Sequence, residues 1–308
     1  MIWLLALISA TTPEQAGAQA FEQGDYAQAL VQWSVALDQA REAGDQPAQD
    51  DLLLRLSSSY RHLGRLEEAE ATLGLVQGSP ARVDIGRGLI ELDEGQLRRA
   101  ERSFAQAFEA AQAGKDASTA ADAALDLGLA RLHQGGLEEA ARAFVGAESL
   151  FRVLGDPVGQ ADALTNLGIA ERRAANLGQA QAHLEQAVQL YRGADHRAGE
   201  ADALTNLGLV LQQQGRDEQA AELYGAALST ARTRKDLARQ GILLQNLATL
   251  DQAAGRLDAA EERYLLAQQA YLASGHEREA ASVAVDRATL RGDGQEMRRA
   301  ASAARDAG

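Results

Sequence analysis

The octapeptide Ala-Asp-Ala-Leu-Thr-Asn-Leu-Gly occurs at residues 161–168 and again, unchanged, at 201–208, so the chain repeats itself with a period of 40 residues. A fixed period of this length restricts the fold to an array of like supersecondary units. Each is too small to bury its own apolar face and must stack on its neighbours. The period extends in both directions: Leu244-Gln-Asn-Leu-Ala248 follows at the same offset, and Ala121-Asp-Ala-Ala-Leu-Asp-Leu-Gly128 precedes it.

Within each unit a turn residue comes next, at Gly135, Ala175, Gly215 and Gly255. A small side chain follows (Ala140, Ala180, Ala220, Ala260), then a large one (Phe144, Leu184, Tyr224, Tyr264), then another alanine (Ala147, Ala187, Ala227, Ala267). The last two steps are four and three residues, which puts these side chains on one face of a helix. The pattern predicts two antiparallel helices held close by small residues, with the large side chain filling the gap between them. Alanine, leucine, glutamine, glutamate and arginine fill most of the chain, while prolines number four. These are good helix formers, and an all-α protein is expected.

The same frame reaches both ends with lower fidelity. Gly17, Gly24, Ala29, Trp33 and Ala36 mark a first unit, Leu56, Gly64, Ala69, Leu73 and Val76 a second, and Gly88, Gly95, Ala100, Phe104 and Ala107 a third. The third turn glycine follows Gly64 by only 31 residues. A shortened helix is therefore expected before Ser79-Pro80, which read as an N-cap and first helical residue, with a kink or change of pitch near 74–80. The units fall at about 11–49, 50–80, 81–120, 121–160, 161–200, 201–240 and 241–280. Residues 281–308, with Ala300 in phase with Ala260 and with Arg298, Arg299, Arg305 and Asp306 making a polar outer face, read as a degenerate capping unit.

This combination of Leu-Gly, a glycine turn and Ala-x3-aromatic-x2-Ala resembles the tetratricopeptide repeat family, in the long variant of kinesin light chains, Pins-type adaptors and bacterial Rap-type peptide receptors. The resemblance implies a right-handed α-solenoid of about seven helix-turn-helix units plus the C-terminal cap. It also implies that the first helix of each pair lines a concave wall that meets a bound polypeptide. On those helices Leu164, Leu167 and Gly168 are packing positions, which leaves Asp162, Thr165, Asn166, Ile169 and Arg173 on the other faces. Asn166, Asn206 and Asn246 then form a row at one register. Each amide offers both a donor and an acceptor, and in kinesin light chains and Pins-type adaptors a similarly placed row is understood to grip the bound segment. Asp162, Asp202 and Asp126 belong to the same stripe, Asp126 standing where the other units have asparagine. Arg172 and Arg173 could receive an acidic group of the ligand or pair with neighbours such as Glu171.

A net charge of −14 opposes a phosphate backbone, so nucleic acid is not an expected partner, whereas a basic polypeptide segment would be drawn inward. Cysteine is absent, which removes disulfides, thiolate metal sites and a cysteine nucleophile. His62, His133, His183, His196 and His276 lie in different units without metal-ligand spacing. Ser57-Ser58-Ser59 lacks the context of an activated serine and reads as a small-residue packing stripe, and there is no phosphate-binding glycine loop. No enzyme activity, cofactor, metal or small-molecule substrate is therefore expected. The expected role is a protein- or peptide-binding scaffold, with a peptide-sensing receptor or a self-assembling solenoid as alternatives. Residues 1–10 are uncharged and apolar and end in Ile8-Ser9-Ala10. They fit either a short export signal, which would give a bacterial periplasmic or secreted protein, or an apolar helix capping the first unit of a cytoplasmic one.

Overall fold

A computed structural model describes residues 11–292 together with 302 and 303. Among them the chain is an all-α repeat solenoid of fifteen helices with no strand. The leader-like residues 1–10 lie outside the described residues, as do Ala300, Arg298, Arg299, Arg305 and Asp306 of the expected cap. The helices group into two compact units, Met1–Leu150 and Phe151–Gly308. The first holds α1 (Pro13–Glu22), α2 (Tyr26–Ala43), α3 (Gln46–His62), α4 (Leu66–Leu73), α5 (Pro80–Asp93), α6 (Leu97–Ala113), α7 (Ala117–His133) and most of α8 (Leu137–Leu154). The second holds α9 (Pro157–Arg173), α10 (Leu177–Gly193), α11 (Arg197–Gln213), α12 (Asp217–Thr233), α13 (Leu237–Ala253), α14 (Leu257–Ala273) and α15 (Glu277–Arg291).

Local chemistry sets the helix ends. Thr12 closes a capping box with Gln15 ahead of Pro13, and Asp25, Asp45, Asp116, Asp156 and Asp236 each accept a backbone N–H at the start of a helix. The turn glycines at 24, 64, 95, 135, 215 and 255 are left-handed, and Ala175 takes the same conformation at φ 62°. A Cβ is disfavoured there by about 1–2 kcal/mol. Helix starts fall about four residues ahead of the sequence frame, at 117, 157, 197 and 237 rather than 121, 161, 201 and 241. The repeated octapeptide marks the packed middle of the first helix, and the capping aspartates precede it.

Packing within a pair follows the small-against-large rule. A Cβ at Gly208 would stand 2.4 Å from the Tyr224 ring, so only glycine lets α11 and α12 approach this closely. The same contact recurs between Gly17 and Trp33, Gly88 and Phe104, Gly128 and Phe144, and Gly168 and Leu184. Ala140, Ala180, Ala220 and Ala260 are fully buried beside these side chains. Thr165, expected on an outer face, is instead buried, its hydroxyl donating to the Ala161 carbonyl at 2.8 Å.

The shortened second pair is present as expected. Helix α4 has only eight residues, and α5 begins at Pro80 with Ser79 as N-cap. The connection over 74–79 is non-helical. It is fastened by Asp50, buried in α3, whose carboxylate accepts the backbone N–H of Gln77 at 3.1 Å, that of Gly78 at 2.7 Å and the Gln46 amide at 2.8 Å. Burial alone would raise this carboxyl's pKa, but the amides outweigh it and hold it below the usual range.

Candidate functional site

The candidate surface in the second unit is carried by the first helix of each pair. There α9 packs on α11, α11 on α12 and α12 on α13, so equivalent positions recur at each layer. Asn166, Asn206 and Asn246 are all half-buried at one register of α9, α11 and α13. The Asn166 amide donates to the carbonyl of Asp162 and the Asn206 amide to that of Asp202, each at 3.0 Å. This back-bond fixes the amide against its own helix and leaves one N–H and the side-chain carbonyl for another partner. The row continues to α15, where Asp286 stands 40 residues after Asn246. Its carboxyl is raised by burial, against an opposing hydrogen bond from the Gln245 amide at 3.1 Å. The sequence frame missed Asp286, although the 40-residue offset alone would have found it.

The aspartates one turn earlier are engaged inside the protein. The Tyr191 hydroxyl donates to the Asp162 carboxylate, and Tyr191 stacks on His196 with ring centroids 5.5 Å apart. Burial raises the Asp162 carboxyl, opposed by the tyrosine and His196. Asp202 pairs with Arg239 at 2.6 Å, which ties α11 to α13. Burial raises its carboxyl too, with Arg239 opposing. Tyr191 and Asp162 depend on a second glycine contact, since a Cβ at Gly199 would stand 2.3 Å from the Tyr191 ring. Arg173 is exposed at the end of α9. Beside it, Arg172 keeps a buried Nε without a hydrogen-bond partner, and Glu171 accepts the Asn176 amide at 2.7 Å.

Asp126 belongs to the first unit and has a different setting. It lines an open cavity of ≈ 330 Å³ between α3, α4, α5 and α7, together with Arg61, Arg82 and Asp122 and the apolar side chains of Leu54, Leu73, Ile85, Leu89 and Leu125. Both arginines are held at carboxylates: Arg61 donates to Asp93 at 2.9 Å and Arg82 to Asp51 at 2.8 Å. Among the described residues no hydrogen bond reaches the Asp126 carboxyl. Burial first, and the charge of Asp122 second, push it up to about 7, with Arg61 opposing. Nothing in the repeat pattern announces this cavity.

The histidines do other work. His62 stacks on Tyr26 with centroids 4.4 Å apart and meets the edge of Phe21, so it belongs to an aromatic cluster. Ser57 is buried and donates to the Ala69 carbonyl at 2.9 Å. Among the described residues no group of three His, Cys, Asp or Glu side chains is disposed to hold a metal ion, and no helix is long and apolar enough to cross a membrane.

The tetratricopeptide repeat family matches residues 159–233. No curated protein sequence matches the chain. Among solved structures it is similar to the apo form of RapI, with a TM-score of 0.71 and 12% identity over 95% of this chain and 85% of that one. It is similar to a Rap protein complexed with Competence and Sporulation Factor, at TM-score 0.70 and 14% identity over 96% and 86%. A Signal Transduction ATPase with Numerous Domains protein with a tetratricopeptide repeat sensor, from Pyrococcus horikoshii, gives 0.70 and 15% over 98% and 46%. At these identities the likeness is one of fold.

Proposed function

We propose that this tetratricopeptide-repeat protein is a non-catalytic scaffold that binds a polypeptide segment along the first helices of its second unit. The observation that carries the reading is the row Asn166, Asn206 and Asn246: three half-buried amides at one register, two of them fixed against their own helices with hydrogen-bonding capacity to spare. Asparagine is a mediocre helix former, so its return at each layer needs a reason other than helix stability. An extended segment presents N–H and C=O groups along its backbone, and amides spaced by the helix layers can satisfy them whatever its side chains. Asp162, Asp202 and Arg173 flank the row, with Asp162 and Asp202 stiffened by Tyr191 and Arg239. The net charge of −14 favours a basic segment.

The likeness to a Rap protein complexed with Competence and Sporulation Factor supports a ligand-binding reading on this fold and keeps a peptide-sensing receptor as the alternative. Self-association of the solenoid is the other form that the interaction role could take. Placement in a bacterial envelope rests on the apolar residues 1–10 alone.

The test is a selection of dodecapeptides against the purified full-length protein, followed by titration of the best binder. Changing Asn166, Asn206 and Asn246 together to alanine should weaken binding at least tenfold with helicity by circular dichroism unchanged. Equal affinity in wild type and triple variant would remove the row from the site.

A further inference from the structure

The cavity in the first unit has the composition of a side-chain pocket. Its volume of ≈ 330 Å³ lies at the lower end of the roughly 300–1,000 Å³ typical of ligand sites. Its walls carry the aliphatic side chains of Leu54 from α3, Ile85 and Leu89 from α5, and Leu125 from α7, beside the hydroxyls of Ser57, Ser58 and Thr119. Its charged groups are not equivalent. Arg61 of α3 and Arg82 of α5 are engaged by Asp93 and Asp51, Arg61 keeping a buried Nε without a hydrogen-bond partner. The carboxyl of Asp126 receives no hydrogen bond among the described residues, and Asp122 stands one turn earlier on the same helix. A half-buried carboxyl without a donor, set in apolar walls, is destabilised as an anion, and a cationic guest would relieve it.

We propose that this cavity is a specificity pocket for an arginine side chain of the bound polypeptide, its aliphatic stem lying against Leu54, Ile85, Leu89 and Leu125 and its guanidinium at Asp126 with Asp122 beside it. The planar fork of a guanidinium can reach two carboxylates one helical turn apart, which a compact ammonium does less well. A long stem on apolar walls with a charged head on a carboxylate is the usual way such side chains are buried.

The pocket shares with the preceding reading only the premise that the ligand is a polypeptide. Its chemistry does not involve the asparagine row, so the two can fail separately.

Protonation supplies a second readout. The cation binds the ionised form of Asp126, whose pKa is about 7 in the free protein. Affinity therefore rises by about tenfold from pH 6 to pH 8, following the ionised fraction, and binding at pH 6 releases a proton. The experiment titrates N-acetyl-arginine amide into the 15N-labelled full-length protein at both pH values, with N-acetyl-citrulline amide as the uncharged isostere and N-acetyl-glutamate amide as the acidic control. We expect saturable shifts in backbone amides of α3, α5 and α7 with the arginine probe alone, a loss of about tenfold or more in Asp126→Asn, and unchanged binding in the triple asparagine variant. Asp122→Asn, at an exposed position, gives a second variant for which a smaller loss is expected. Equal binding of arginine and citrulline probes, preference for the glutamate probe, or an unaffected Asp126→Asn protein that retains wild-type helicity would each overturn the proposal.

Discussion

The two compact units solve one packing problem in different ways. From Phe151 onward the helix pairs keep a strict 40-residue register, and small-against-large contacts recur as Gly168 with Leu184 and Gly208 with Tyr224. Up to Leu150 the register breaks once, Leu73 and Phe104 standing 31 residues apart where Trp33 and Leu73, and Phe104 and Phe144, are 40 apart, and the second pair has a second helix of only eight residues. Regular repetition carries surface residues along with the core, so the second unit acquires a row of identical amides. Irregular repetition must close gaps individually, and the first unit does so with a buried carboxylate at Asp50 while leaving a cavity at Asp126. The same architecture therefore offers a periodic surface in one unit and a singular pocket in the other.

The sharpest way to break the comparison is to remove one of the repeated large side chains. Tyr224 is fully buried, and its hydroxyl donates to Gln212 at 3.1 Å. Tyr224→Ala should cost about 3–5 kcal/mol in urea unfolding, as other buried aromatic truncations do. A loss under about 1 kcal/mol would mean that the layers do not depend on this contact.

Next comes the irregular unit's own fastener. Asp50→Ala strands the N–H groups of Gln77 and Gly78 and should cost about 2–3 kcal/mol near neutral pH. Because hydrogen bonding holds the folded pKa of Asp50 down, its contribution is complete above the unfolded value of about 4 and disappears as pH falls through the lower folded value. The gap between wild type and variant should therefore shrink in acid, and a gap that is independent of pH would sink this assignment.

Asp126 has the opposite sign. Its folded pKa of about 7 lies above the unfolded one, so wild-type stability falls between about pH 4 and pH 7 and is then level. Asp126→Asn should be the more stable protein at pH 8, by about 1 kcal/mol or more, with the difference vanishing near pH 4. The smallest expected effect is in the regular unit: Ala175→Gly, which relieves a left-handed alanine, should gain about 0.5–1 kcal/mol.

What the sequence made legible follows the same division. Its period located the turns at Gly135, Ala175, Gly215 and Gly255, the buried alanines and the amide row, because each of these recurs at a fixed offset. It also placed the short helix before Ser79-Pro80, through the missing residues between Gly64 and Gly95. The Tyr191–Asp162 bond and the close contact of Gly199 with Tyr191 were not read from it, although glycine at 159 and 199 keeps the period. The bond joins the end of one pair to the start of its own first helix, a contact that helical spacing does not display. Asp50 and the cavity at Asp126 were illegible for a different reason: they depend on how non-equivalent helices and the 74–79 connection meet, and no repeating offset encodes that.

The most direct test of the central claim is a crystal structure of the full-length protein with the tightest peptide from the selection. The account predicts an extended peptide whose backbone lies within hydrogen-bonding distance of the side-chain amides of Asn166, Asn206 and Asn246. A peptide seated instead on the second helices of the pairs, with those three amides untouched, would contradict it.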